Sequence, residues 1–166
     1  VCSASPLAGS AGRQVLADGG NAFDAAIAVA AVECVTMPAR CGIGGEAFAV
    51  LYHAATGKAY GLTSTGPAPD GASAALYRDL GHTFTPFSGP LAASPPGEVA
   101  AYQLICDSFG TRSLGTLLEP AIGYAEEGFP LPPSIGRDFV HGAGRLAESP
   151  SAASTFLKSG RPYGTG

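Results

Sequence analysis

At 166 residues the chain has the length of one ordinary domain and can bury a sizeable core. Its net charge of −4, with no run of Lys or Arg, excludes a surface built for nucleic-acid phosphates. Charged residues make up 13%, against about 25% in typical soluble domains, so much of the surface is expected to be covered by more of the same protein or by a partner.

The chain opens on an apolar stripe at helical spacing, Leu7, Ala8, Ala11, Val15 and Leu16, with Pro6 placed for the first helical position. No charged and then apolar leader precedes it. Asp18-Gly19-Gly20 ends this helix, and Asn21 restarts one, with Asp24 in its first turn where a carboxylate suits the helix dipole. Residues 22–35 are small or apolar almost all round, which predicts a helix buried on most faces. Its longest apolar run, Ala25–Val32, stops at Glu33, far short of the ~20 residues a membrane span needs. After Pro38 the glycines Gly42, Gly44 and Gly45 lead into a second apolar run, 47–52, expected to be a buried strand.

Thr56-Gly57-Lys58 predicts a hairpin turn into a second strand, 59–63. Residues 64–97 read as a long irregular connection holding one short helix, 72–80, and a short strand, 91–94. A helix is expected over 98–109, with Val99, Tyr102, Cys106 and Phe109 on one stripe. Ser113 caps the clearest helix, whose apolar face is Leu114, Leu117, Leu118, Ala121, Ile122 and Ala125. Pro120 should kink it or cost it a backbone bond, and Gly128 closes it. Beyond Pro130 we expect a helix near 134–141, a Ser/Pro linker and a last turn at 152–157. The ending 160–166 has loop composition with no closing element, as a cut chain would.

Few features carry chemistry. The cluster Gly42-Ile43-Gly44-Gly45 is not a phosphate loop, because it follows a helix and opens a strand, the reverse of the order that aims a helix N-terminus at phosphate. It reads instead as a structural loop in which glycine permits close backbone approach. The four cysteines, Cys2, Cys34, Cys41 and Cys106, lack metal-site spacing and read as buried, reduced thiols of a cytosolic protein, with a Cys34–Cys41 bridge left open. His53, His82 and His141 are isolated, expected on the surface or in loops. Glu126-Glu127 reads as a solvated helix end. No metal or cofactor is expected.

Four stretches in register carry a resemblance: GGNAFDAA (19–26), GIGGEAF (42–48), SPPGEVAA (94–101) and LLEPAIGYAEEGFPL (117–131). Together with SASPLAGSAG (3–12) and FLKSGRPY (156–163), they resemble the front of the large chain of γ-glutamyltranspeptidases over essentially the whole length. The resemblance implies a layered α/β fold, the αββα sandwich of N-terminal-nucleophile hydrolases, here as a single incomplete domain, 1–166, dominated by helices. It also implies a precursor that cuts itself into a large and a small chain. The small chain is then the partner, and its new N-terminal threonine attacks an amide or γ-glutamyl substrate with its own amine as base. An oxyanion hole stabilises the intermediate, and water or an amino acid takes the acyl group.

By this alignment no catalytic residue lies in the chain. Cys2 would become an N-terminal nucleophile if Val1 were removed, but the resemblance places it at the start of the large chain, away from the processing site. Ser64, Thr65 and Gly66 fall in the stretch where the family carries an arginine for the substrate α-carboxylate. Thr65 or, in the branch with an acid after the glycines, Pro67 takes that position, and neither is basic. Glu46, following the glycines, is similar to that branch. A buried carboxylate left without its partner costs roughly 3–5 kcal/mol, so γ-glutamyl amides should be handled poorly beside acyl groups lacking that carboxylate, such as glutaryl or simple aliphatic acyls. Arg40 and Arg78 are the nearby arginines in sequence that could substitute. The rival expectation is a non-catalytic fragment or pseudoenzyme serving as a scaffold.

Overall fold

The computed structural model of the protein describes residues 1–165. Helix α1 (Pro6–Ala17) starts where Ser5 Oγ accepts from Ala8 N, with Pro6 in the first position. Gly19, at φ 84°, turns the chain back. Helix α2 (Ala22–Thr36) begins with a capping box: Asn21 Oδ1 accepts from the N–H groups of Phe23 and Asp24, and Asp24 Oδ2 accepts from Asn21 N. The two helices approach through small residues. Ala8 and Ala11 are buried, and a Cβ on Gly12 would come within 2.5 Å of Val29 Cγ2.

Strands β1 (Phe48–His53) and β2 (Lys58–Thr63) pair antiparallel, Phe48 opposite Thr63 and His53 opposite Lys58, around a turn that Gly57 makes at φ 65°. Only one face of this hairpin is covered. Leu51 is buried, and Ala49 and Leu62 pack beside it on the helices, whereas Phe48, Val50 and Tyr52 are 71%, 87% and 64% exposed. The buried strand expected from the continuous apolar run is therefore half-buried here. Such runs belong to strands covered on both faces, and the second cover is not among the described residues.

The connection beyond β2 contains helix α3 (Ala74–Asp79), as expected but shorter. A single 3₁₀ turn, Pro90–Ala92, replaces the strand expected at 91–94, because Pro90 fixes a helical φ at its start. Helices α4 (Glu98–Phe109) and α5 (Leu114–Glu127) then close the main core, where Ile27, Val32, Leu51, Tyr102, Ile105 and Leu117 meet. Helix α5 runs unbroken through Pro120.

Helix α6 (Pro133–Glu148) is much longer than the segment expected at 134–141, and α7 (Pro150–Phe156) contains most of the turn expected at 152–157 while starting within the expected Ser/Pro linker. Prolines at both starts act as first-turn residues rather than as breakers, and Ser149 caps α7. These helices form a smaller core with Met37, Ile135 and Phe139. A minimal hairpin, β3 (Leu157–Lys158) with β4 (Arg161–Pro162), turned by Ser159 and Gly160 at positive φ, carries its second strand into the ending expected as loop, 160–166. Gly166, the last residue of that expected loop, lies outside the described residues.

All four cysteines are free, which closes the question of a Cys34–Cys41 bridge in this structure. Cys2 is exposed and the other three are half-buried, not the fully buried thiols expected; Cys106 packs at the edge of the main core and Cys41 at the edge of the second, smaller one. His141 is exposed, while His53 and His82 are half-buried. No helix among the described residues is long and apolar enough to cross a membrane.

Candidate functional site

Three backbone segments meet where the glycine loop enters β1. Gly45 N donates to Gly42 O at 2.8 Å, closing the loop, and Gly45 O accepts from both Gly97 N and Glu98 N, at 3.0 and 3.1 Å. At the end of β2, Ser64 N donates to Ala47 O at 3.0 Å while Ser64 Oγ accepts from Ala47 N at 2.7 Å. The approach is close because two glycines permit it. A Cβ on Gly97 would stand 1.8 Å from Ser64 O, and one on Gly66 would stand 2.7 Å from Pro95 O. Among the candidate loop glycines, Gly45 is the crowded one, 3.1 Å from Gly42 O, whereas a Cβ on Gly42 or Gly44 would meet nothing within 4 Å.

The candidate residues Ser64, Thr65 and Gly66 thus lie at one junction with Glu46. Thr65 Oγ1 donates to Glu46 Oε2 at 3.1 Å, and Ser94 Oγ donates to Glu46 Oε1. Glu46 is half-buried and Thr65 exposed. Pro67 offers no donor. Arg40 is committed elsewhere: its guanidinium pairs with Asp138 of α6 at 2.9 Å, and both line a groove of about 910 Å³ that contains none of Ser64, Thr65 and Gly66. Arg78 lines a separate cavity of about 440 Å³ with Tyr77 and His82, and Ser94 closes its edge.

Behind the junction stands a polar chain that sequence reasoning missed. Tyr102 OH donates to Glu98 Oε1 at 2.5 Å and lies 3.7 Å from Cys34 Sγ. Burial and then the bond to Glu98 raise the Tyr102 phenol well above its ordinary value. Burial likewise pushes the Cys41 thiol up to about 11, with Cys34 and Glu33 adding to the shift. The Tyr102 phenol and the Cys41 thiol therefore stay protonated near pH 7, and the Tyr102–Glu98 bond braces the first turn of α4, whose Glu98 N–H is held by Gly45 O. The i, i+4 spacing of Glu98 and Tyr102 was the available signal. Nothing in the spacing linked Ser94 to Glu46, 48 residues earlier.

A second carboxylate organises the opposite end of α2. Asp24 is fully buried and accepts from Asn21 N, Thr111 N, Thr111 Oγ1 and Arg112 N, while Asn21 Nδ2 donates to Phe109 O. Burial alone would raise its pKa, but the Thr111 hydroxyl and the three N–H groups outweigh it and hold the carboxyl below its ordinary range.

The family model described as γ-glutamyltranspeptidase matches residues 8–166. The glutathione hydrolase proenzyme of Bacillus subtilis (strain 168) is 34% identical over 100% of this chain, which spans 29% of that relative. The crystal structure of Helicobacter pylori γ-glutamyltranspeptidase superposes with a TM-score of 0.94 at 32% identity, covering 99% of this chain and 48% of that one. A cephalosporin acylase from Bacillus halodurans gives 0.91 at 34% identity, covering 98% and 31%. The fold is therefore the helix-rich part of the αββα sandwich of N-terminal-nucleophile hydrolases, as the resembling segments implied.

Proposed function

The chain belongs to the γ-glutamyltranspeptidase family, and we propose from that premise that it is part of an amide-bond hydrolase or acyltransferase. In this reading it is the front of a large chain. A small chain cut from the same precursor supplies a threonine nucleophile whose own amine is the base. Attack on the amide carbonyl forms a tetrahedral intermediate, the amine leaves, and water or an amino acid accepts the acyl group. The chain alone carries no nucleophile for this step and is inactive.

The observation that carries the reading is the junction at Gly45. Its carbonyl ties GIGGEAF to SPPGEVAA, and Ala47 ties both to Ser64-Thr65-Gly66, so separate family-like segments build one place. The exposed face of β1, with Phe48, Val50 and Tyr52, supplies an apolar surface for the second layer of such an enzyme.

The acyl pocket of this enzyme lacks the guanidinium that would pair with a substrate α-carboxylate in two parallel bonds. Thr65 offers one hydroxyl, already donated to Glu46. The substrate is then an amide whose acyl group does not depend on that carboxylate. Relatives include both a glutathione hydrolase and an acylase, which accords with varied acyl groups on one scaffold. The test is kcat/KM of the processed full-length protein for γ-glutamyl and 4-aminobutanoyl anilides, which differ only in the carboxylate, repeated with Thr65→Arg. The 4-aminobutanoyl anilide should be preferred by about tenfold or more, and Thr65→Arg should raise γ-glutamyl turnover. Preference for γ-glutamyl in the unmodified protein would reject this specificity.

The absence of a basic residue at Thr65 and Pro67 also fits a second reading, a non-catalytic scaffold that keeps the fold. A full-length protein that neither self-cleaves nor turns over any amide would favour it.

A further inference from the structure

We propose that Glu46 sets the charge preference of the acyl site, selecting acyl groups that bear an ammonium over those that bear a carboxylate. This rests on the reading that Ser64–Gly66 line the acyl site, and it deepens that reading by naming the group that discriminates.

Glu46 is held rather than free. Its backbone lies between Gly45, whose carbonyl takes the first N–H groups of α4, and Ala47, which is locked to Ser64 from both sides. Both carboxylate oxygens are occupied, one by Thr65 and one by Ser94, so the side chain has one orientation over the junction. Each oxygen keeps a further lone pair for a ligand donor.

The charge is also uncompensated. The ion pair among the described residues is Arg40 with Asp138, and the groups on Glu46 are neutral hydroxyls. Hydroxyls fix a carboxylate without neutralising it. A carboxylate entering beside Thr65 meets a half-buried like charge, whereas an ammonium meets an oriented acceptor. The same Thr65 hydroxyl that replaces a cation is thus spent on presenting an anion.

Four anilides separate the two charges: butanoyl (neither), 4-aminobutanoyl (ammonium), glutaryl (carboxylate) and γ-glutamyl (both). With the processed full-length protein, kcat/KM for 4-aminobutanoyl should exceed that for glutaryl by about tenfold or more. Glu46→Gln, which keeps the shape and a carbonyl acceptor, should collapse that ratio by about tenfold through KM; Glu46→Asp should retain most of the ratio. A ratio unchanged by Glu46→Gln, with butanoyl still turned over, overturns the proposal and leaves the amidase reading standing. No turnover of any anilide by a processed wild type overturns both. Should Glu46→Gln fail to fold, competition in the wild type decides: stronger inhibition by glutarate than by 4-aminobutanoate overturns the proposal, and the reverse supports it.

Discussion

Thr111 donates both its backbone N–H, at 2.9 Å, and its hydroxyl, at 2.5 Å, to the carboxylate of Asp24, a residue 87 positions earlier. One buried side chain therefore caps α2 and ties the α4–α5 turn to it. Removing the charge should be expensive: Asp24→Asn is expected to destabilise the full-length protein by about 2–4 kcal/mol, because several charge-assisted bonds share one acceptor. Denaturant unfolding of the two proteins measures it. A change below about 0.5 kcal/mol would show that the network is dispensable.

The same carboxylate gives a pH dependence with a definite sign. The folded pKa is lowered below the unfolded value of about 3.9, so the stabilisation is fully present above that value. It is lost as pH falls from about 4 through the folded pKa. Thermal midpoints between pH 6 and pH 3 should fall more steeply in the wild type than in Asp24→Asn. Parallel curves would contradict the network.

Gly97 and Gly123 make opposite predictions for the same change. Gly97→Ala places a methyl 1.8 Å from Ser64 O, backbone that cannot yield without opening the junction, and should abolish self-cleavage. Gly123→Ala meets nothing within 4 Å inside α5 and should stabilise by about 0.5–1 kcal/mol. Processing, followed by the appearance of two chains, tests the first; an unfolding midpoint tests the second.

How much of this could be read from the sequence follows from what each signal contains. Asn21 with Asp24, and Ser113 before an apolar stripe, are local devices, and both helices start where the spacing placed them. Pro150 falls in the expected Ser/Pro linker yet opens a helix, since proline suits a helix's first turn and local composition does not distinguish that position from a loop. The site was legible in part. Ser64, Thr65 and Gly66 came from a resemblance, and the structure brings them to Glu46. Gly97 and Ser94, which complete the junction, touch it across more than thirty intervening residues, a relation that no local pattern encodes. The apolar run at 47–52 predicts a buried strand, but the described residues cover one face of it and leave the other uncovered.

That uncovered layer should show itself in solution. Phe48, Val50 and Tyr52 form an exposed apolar row on the hairpin, so residues 1–166 expressed alone should self-associate or bind apolar dyes. Size-exclusion chromatography with dye fluorescence checks this. A monomer with a sharp cooperative melt and no dye binding would mean that the row needs no cover.

The precursor proposed for this chain cuts itself to release a catalytic threonine. The intact masses of the purified full-length protein, with sequencing of each chain's N-terminus, test it most directly. The prediction is two chains in equal amount, the larger holding residues 1–166 and the smaller beginning with threonine. A single uncleaved chain after prolonged incubation, or a small chain beginning with any other residue, would contradict it.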